Sequence, residues 1–156
     1  MTTKISSANV DATITTPAGA QTLTNKTIGP TAEVVAITAA APAATTNFDL
    51  ATQAVQYYTS NAANNFTLNI RGNSTTTLDS YMAVGSSLSL ALMITVGATG
   101  YYLTAFQIDG ASVTPKWLNG TAPSAANGNT VVMYSLSILK TASATYTVLG
   151  TSIQFF

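Results

Sequence analysis

The sequence predicts an all-β fold, an antiparallel β-sandwich of jelly-roll type carrying an extended N-terminal arm. Three observations predict it. Apolar residues recur at every second position in several short runs, turn-forming residues separate those runs at short and regular intervals, and no segment shows a helical period. Short strands of even spacing with turn signals between them are the pattern of sandwiches and jelly rolls.

Residues 1–33 are rich in Thr, Ser and Ala, punctuated by Pro17, Gly19, Gly29 and Pro30. Their apolar positions, Ile5, Val10, Ile14, Leu23 and Ile28, are too widely spaced to build a core. The segment therefore reads either as an attachment arm laid along neighbouring subunits or as an unattached tail. Residues 34–156 form the sandwich body, an ordinary size for one domain. Glu33 to Thr38 reads as a short strand, and the Ala-rich run around Pro42 as a connector. Asn47 to Thr59 holds two strands, or one strand with a break. After a turn over Asn61 to Asn65, Phe66-Thr67-Leu68-Asn69-Ile70-Arg71 alternates with period two, which points Phe66, Leu68 and Ile70 at the core.

Gly72-Asn73-Ser74 turns the chain, a segment over Leu78 to Val84 follows, and Gly85 precedes the strongest strand signal. There Leu88, Leu90, Leu92, Ile94 and Val96 share one face, while Ser89, Ala91, Met93 and Thr95 share the other. A second face of small and polar residues suits a sheet that touches another layer or subunit. Gly97 to Gly100 reads as a hairpin loop leading into a strand over Tyr101 to Asp109, and Asp109-Gly110 is a strong turn signal. Pro115 places the strand over Val113 to Trp117 at an edge or bulge. A long loop over Asn119 to Asn129 leads to Val132, Tyr134, Leu136 and Ile138 on one face. Lys140 to Ser143 reads as a turn, and the last strand begins at Thr145, with Gly150 as a bulge before Ile153 and Phe155. The total is eight or nine strands.

Composition narrows the function. Only 6% of the 156 residues are charged, five Lys/Arg balance five Asp/Glu, and neither His nor Cys occurs. A chain so poor in charge has little self-repulsion to keep sheet edges apart, so its edges and faces are expected to be covered by other protein. No basic stripe is present to neutralise phosphates, which argues against nucleic acid as a partner. General acid–base catalysis needs a group titrating near neutrality or paired carboxylates, and Asp11, Glu33, Asp49, Asp79 and Asp109 are all isolated in sequence. They read as turn and cap residues. Without His or Cys only a hard-cation oxygen site could form, and no calcium-type loop is present. No catalytic residue, cofactor or metal is therefore expected. The opening residues lack a signal-peptide core, and no apolar run approaches the roughly 20 residues of a membrane helix. Synthesis in the cytoplasm without membrane insertion is the expectation.

The aromatics are the remaining candidates for recognition. Adjacent tyrosines on a strand point to opposite faces, so one of each pair Tyr57-Tyr58 and Tyr101-Tyr102 can face outward. Tyr58, Tyr102 and Trp117 are the positions expected either to stack on a sugar or to pack in a subunit interface.

The run Thr22-Leu23-Thr24-Asn25-Lys26-Thr27-Ile28 is similar to a phrase that recurs in tail-fibre and other virion proteins of bacteriophages. Ala54 to Thr59, Phe66 to Gly72, Tyr101 to Gly110 and the stretch from Pro115-Lys116-Trp117 to Pro123 resemble a β-domain of virion structural proteins from phages of aquatic bacteria, cyanophages included. The resemblance implies a non-enzymatic component on the outside of the virion, commonly a homotrimer, attached to other virion proteins of capsid or tail by its N-terminal arm. Ile14, Leu23 and Ile28 are then the anchoring positions of that arm. It leaves a capsid decoration or cement protein, a short fibre subunit, and a fibre module that reads host surface glycans as alternatives.

Overall fold

A computed structural model describes Ala32 and residues 34–156. The arm positions Ile14, Leu23 and Ile28 lie outside the described residues. Ten strands are described: β1 (Ala36–Thr38), β2 (Thr45–Asp49), β3 (Val55–Tyr58), β4 (Phe66–Arg71), β5 (Ser87–Val96), β6 (Leu103–Ile108), β7 (Ala111–Ser112), β8 (Lys116–Trp117), β9 (Thr130–Ala142) and β10 (Thr145–Phe155). One helical turn, α1 (Leu78–Tyr81), lies between β4 and β5. The fold is all-β, with a six-stranded sheet in the order β1-β3-β5-β9-β10-β8 and a four-stranded sheet in the order β2-β4-β6-β7.

The strand pairing corrects the antiparallel jelly-roll expectation. β1, β3 and β5 run parallel in one sheet, and β2, β4 and β6 run parallel in the other. From β1 to β6 every step changes layer, so this part of the chain winds as a flattened coil of two strands per turn. The antiparallel part is limited to β5-β9-β10 and to the β6-β7 hairpin, while β8 joins β10 in parallel. Connector length is the physical reason. Asp109-Gly110, with φ of 51° and 80°, is a two-residue turn that returns the chain within its own sheet. The connectors over 39–44, 50–54 and 59–65 instead cross the roughly 10 Å between packed sheets. The loop over 97–102 does the same and is an arch, not a hairpin.

Alternation placed most of the core correctly. Phe66, Leu68, Ile70, Leu90, Leu92, Ile94, Val96, Val132, Tyr134, Leu136 and Ile138 are all buried, and they meet Phe48, Phe106, Ile108 and Val148 between the sheets. In β6 the register against β4 shifts between Phe66 and Thr67, so the extra residue Thr104 puts Leu103 and Phe106, of opposite parity, on the same inner face. The bulge frees the Leu103 N–H from the ladder, and it donates to the Tyr134 hydroxyl at 3.0 Å. The Tyr134 ring meets Phe66 edge-on, with centroids 6.1 Å apart, so one side chain of β9 ties the two sheets together.

Two further expectations change. Gly150 is no bulge: it pairs with Leu136 in register, and a Cβ there would stand 2.8 Å from both a Leu136 methyl and the Trp117 ring. Glycine is required because the Trp117 ring and a Leu136 methyl occupy the space a side chain would need. Lys140 lies within β9 and the turn falls at Ser143-Ala144. Its side chain is buried and points under α1.

Charge is spent on holding α1. At its N-terminus the Asp109 carboxylate accepts from the Leu78 N–H at 2.7 Å and from the Asp79 N–H at 3.2 Å. At its C-terminal side the Lys140 ammonium donates to the carbonyls of Asp79 and Met82, and it lies 2.7 Å from the Asp79 carboxylate. The Ala144 N–H donates to the same carboxylate at 2.6 Å. Lys140, followed by that amide, holds the Asp79 carboxyl below its ordinary range.

Tyr146 lies beneath this cluster, and its buried hydroxyl has no partner among the described residues. Tyr146→Phe is expected to stabilise the protein by about 1 kcal/mol, because an unpaired buried hydroxyl contributes only its desolvation cost. Burial, with the Asp109 and Asp79 carboxylates nearby, pushes the Tyr146 hydroxyl up to about 12, and burial does the same for Tyr134. A tyrosine of the unfolded chain ionises near about 10. Both hydroxyls therefore stay neutral in the folded chain over a range where the unfolded chain ionises, so stability is unaffected below about pH 10 and falls as pH rises toward the folded value. Stability to urea is expected to weaken from about pH 10 to about pH 11.5, and to weaken less in Tyr146→Phe.

Candidate functional site

The two sheets show opposite chemistry on their outer faces. On the four-stranded sheet, register places Asn47 beside Asn69 and Asn69 beside Gln107, Thr45 beside Thr67, and Asp49 beside Arg71. Asn69 donates to Asn47 at 2.8 Å and accepts from the Gly110 N–H at 2.9 Å, and Arg71 meets Asp49 at 2.5 Å. This face is a polar ladder suited to water.

The outer face of the six-stranded sheet carries rows of a different kind. One row crosses five strands as Ile37, Tyr57, Met93, Met133 and Ile153. The neighbouring rows are Val55, Ala91, Ser135 and Thr151, and then Ser89, Ser137 and Leu149, with Lys116 at the β8 edge. Phe155 stands at the other end. Ile37 is 68% exposed, Phe155 51%, Leu149 46% and Ile153 44%. A face of this size with large apolar side chains in water is the mark of an interaction surface.

The small residues of the second and third rows open a trough of about 860 Å3, floored by Ser89, Ala91, Ser135, Ser137 and Thr151 and bounded by Val55 on one side and Leu118 and Asn119 on the other. Large side chains of the first row form a ridge beside it. Of the six charged side chains among the described residues, Lys116 alone borders the trough. Asp49 and Arg71 lie on the opposite sheet, and Asp79, Asp109 and Lys140 surround α1. Among the described residues no group of three acidic side chains is placed to hold a metal ion.

The aromatic candidates do not converge. Tyr57 is the outward ring of its pair, where its hydroxyl accepts from Thr95 at 3.2 Å. Tyr58 packs inward against the core, and its hydroxyl accepts from Gln56 at 3.1 Å. Burial raises the Tyr58 hydroxyl above its ordinary value. Trp117 covers Gly150 at the β8 edge, separated from β3 by three intervening strands, and Tyr102 sits half-buried in the arch over 97–102. The residues that sequence reasoning passed over are Ile37 and Met133, in the row across five strands, and Leu149 in a neighbouring row. Their alternation was visible, but the register that aligns them across five strands was not.

The all-β fold thus carries a polar, partly ion-paired outer face on one sheet and a largely uncharged outer face with exposed apolar side chains on the other. Comparison with known protein families, with curated proteins and with solved structures finds no match.

Proposed function

We propose that this chain is a non-enzymatic structural protein on the exterior of a phage virion, a capsid decoration or cement protein or a short fibre subunit. It assembles as a homotrimer and docks on other virion proteins through its N-terminal arm, with Ile14, Leu23 and Ile28 as apolar anchors. The observation that carries the assembly role is the contrast between the sheets: one face is a ladder of Asn, Gln, Thr and an ion pair, while the other sets an exposed apolar row beside small hydroxyl residues and, among the described residues, holds no charge except Lys116 at its edge. The Thr22–Ile28 phrase and the likeness of the body supply the phage context. Recognition of a host glycan through Tyr58, Tyr102 and Trp117 has weaker support, because these rings occupy separate places and Tyr58 is turned inward.

Electron microscopy of whole particles carrying the full chain tests this reading. Copies on the particle exterior, lost when residues 1–30 are deleted from a body that still unfolds cooperatively, are the expected result. Complete particles that never contain the chain would refute it, and normal incorporation of the deletion variant would refute the docking role of the arm.

A further inference from the structure

We infer that the outer face of the six-stranded sheet is covered by a second copy of this chain, the Met93–Met133–Ile153 ridge of one copy seating in the Ser89–Ser135–Ser137 trough of the next. The inference rests on the reading of the protein as an assembled coat component and names the surface that assembles it.

Size, charge and shape each point to this occupant. β1, β3, β5, β9 and β10 hold 3, 4, 10, 13 and 11 residues, and at about 3.3 Å per residue and about 4.8 Å between strands they make a face on the order of 650 Å2. That lies at the lower end of the area each partner contributes to a standard stable interface. Among the described residues the face carries no carboxylate, and Lys116 stands at its margin, so a charged partner would find little to pair with and would leave its own charges buried without compensation. Another copy of the same face brings no such cost. Shape supplies the direction of the contact. Ridge and trough are neighbouring rows on one sheet, one built of Met and Ile and the other of Ala, Ser and Thr, so the ridge of each copy has a complementary recess on the next. Contacts of unlike patches between like subunits form a ring where the rotation closes, and in the proposed homotrimer three copies turned inward around an axis would satisfy every ridge and every trough. Methionine is suited to the ridge, since its unbranched thioether adapts to an irregular recess.

The chain has no cysteine, so a single introduced thiol reports on one place. Ser89 lies in the trough and Thr45 on the four-stranded sheet, and both are exposed in the isolated subunit. In the full-length protein, Ser89→Cys is expected to react with a maleimide-linked polyethylene glycol at least about tenfold more slowly than in urea, whereas Thr45→Cys changes far less. Combining Met93→Lys with Met133→Lys is expected to lower the solution mass to that of one chain while the circular dichroism of the sheet persists. Equal reactivity of the two thiols in the native protein overturns the inference, and so does an unchanged mass in a folded double-lysine variant. Should the chain join particles with the Ser89 thiol still reactive, the contact is wrong and the virion reading survives. A protected thiol in a chain that never joins particles gives the reverse.

Discussion

Lys140→Ala is expected to destabilise the protein by about 3–4 kcal/mol, the largest effect of any substitution away from the apolar core. Two terms add. The ammonium is the donor to the carbonyls of Asp79 and Met82, and removing it leaves acceptors near the core without a partner, at about 1–3 kcal/mol. The butyl stem fills space beneath α1, and its loss leaves a void. Lys140→Met separates the terms, since it keeps most of the stem and removes the charge; about 2 kcal/mol is the expected cost. Urea unfolding of the full chain measures both. The same arrangement carries a pH signature. A carboxyl held below its ordinary range adds stability that is present above the unfolded-chain value and is lost as pH falls through the folded one, so Asp79 and Lys140 together predict weakening below about pH 4. Lys140→Met should reduce that acid sensitivity.

Gly100→Ala is expected to cost about 2–3 kcal/mol and to lift the loop over 121–129 away from the body. A Cβ at this position would stand 1.9 Å from the Ala126 carbonyl oxygen, which is backbone and cannot rotate aside. The loop is otherwise held by the Asn129 N–H donating to the Gly97 carbonyl at 2.8 Å and by the Asn127 N–H donating to the Gln154 side chain at 2.7 Å. Hydrogen exchange resolves the two parts of this expectation. The Asn129 amide should lose protection in Gly100→Ala while amides in the middle of β9 keep theirs, apart from the change in overall stability. Gly120→Ala is the control for a glycine with open space around it, and although its φ of 72° makes alanine unfavourable there, Asn129 protection should be unaffected.

The period-two runs made individual strands and their buried faces legible. Leu88 to Val96 and Val132 to Ile138 were readable because core-forming apolar residues recur at every second position without interruption. Strand partners were not readable, because alternation is the same whether a strand pairs in parallel or antiparallel. The coil from β1 to β6 depends instead on connectors long enough to change layer, such as 39–44 and 59–65, and these resemble any other loop in composition. The bulge at Thr104 reversed the parity of Leu103 against Phe106, which a fixed period cannot anticipate. Lys140 looked like a turn residue because charge normally marks the surface, yet its ammonium is satisfied by α1, an element brought close only by the tertiary fold. The candidate site divides in the same way. The small second face of β5 marked it in sequence as a contact surface, whereas the ridge joins residues from β1, β3, β5, β9 and β10 whose alignment is a matter of register. Tyr57 and not Tyr58 belongs to that ridge because Tyr57 pairs with outward Met93 and Tyr58 with buried Ile94.

The solution mass of the purified full-length chain, followed by light scattering over a wide concentration range, tests most directly whether the apolar sheet face is covered. The proposed homotrimer predicts an assembly of three chains, each of 16.0 kDa. A particle that stays at 16.0 kDa at every concentration, with the Met93–Met133–Ile153 row open to water, would contradict the account.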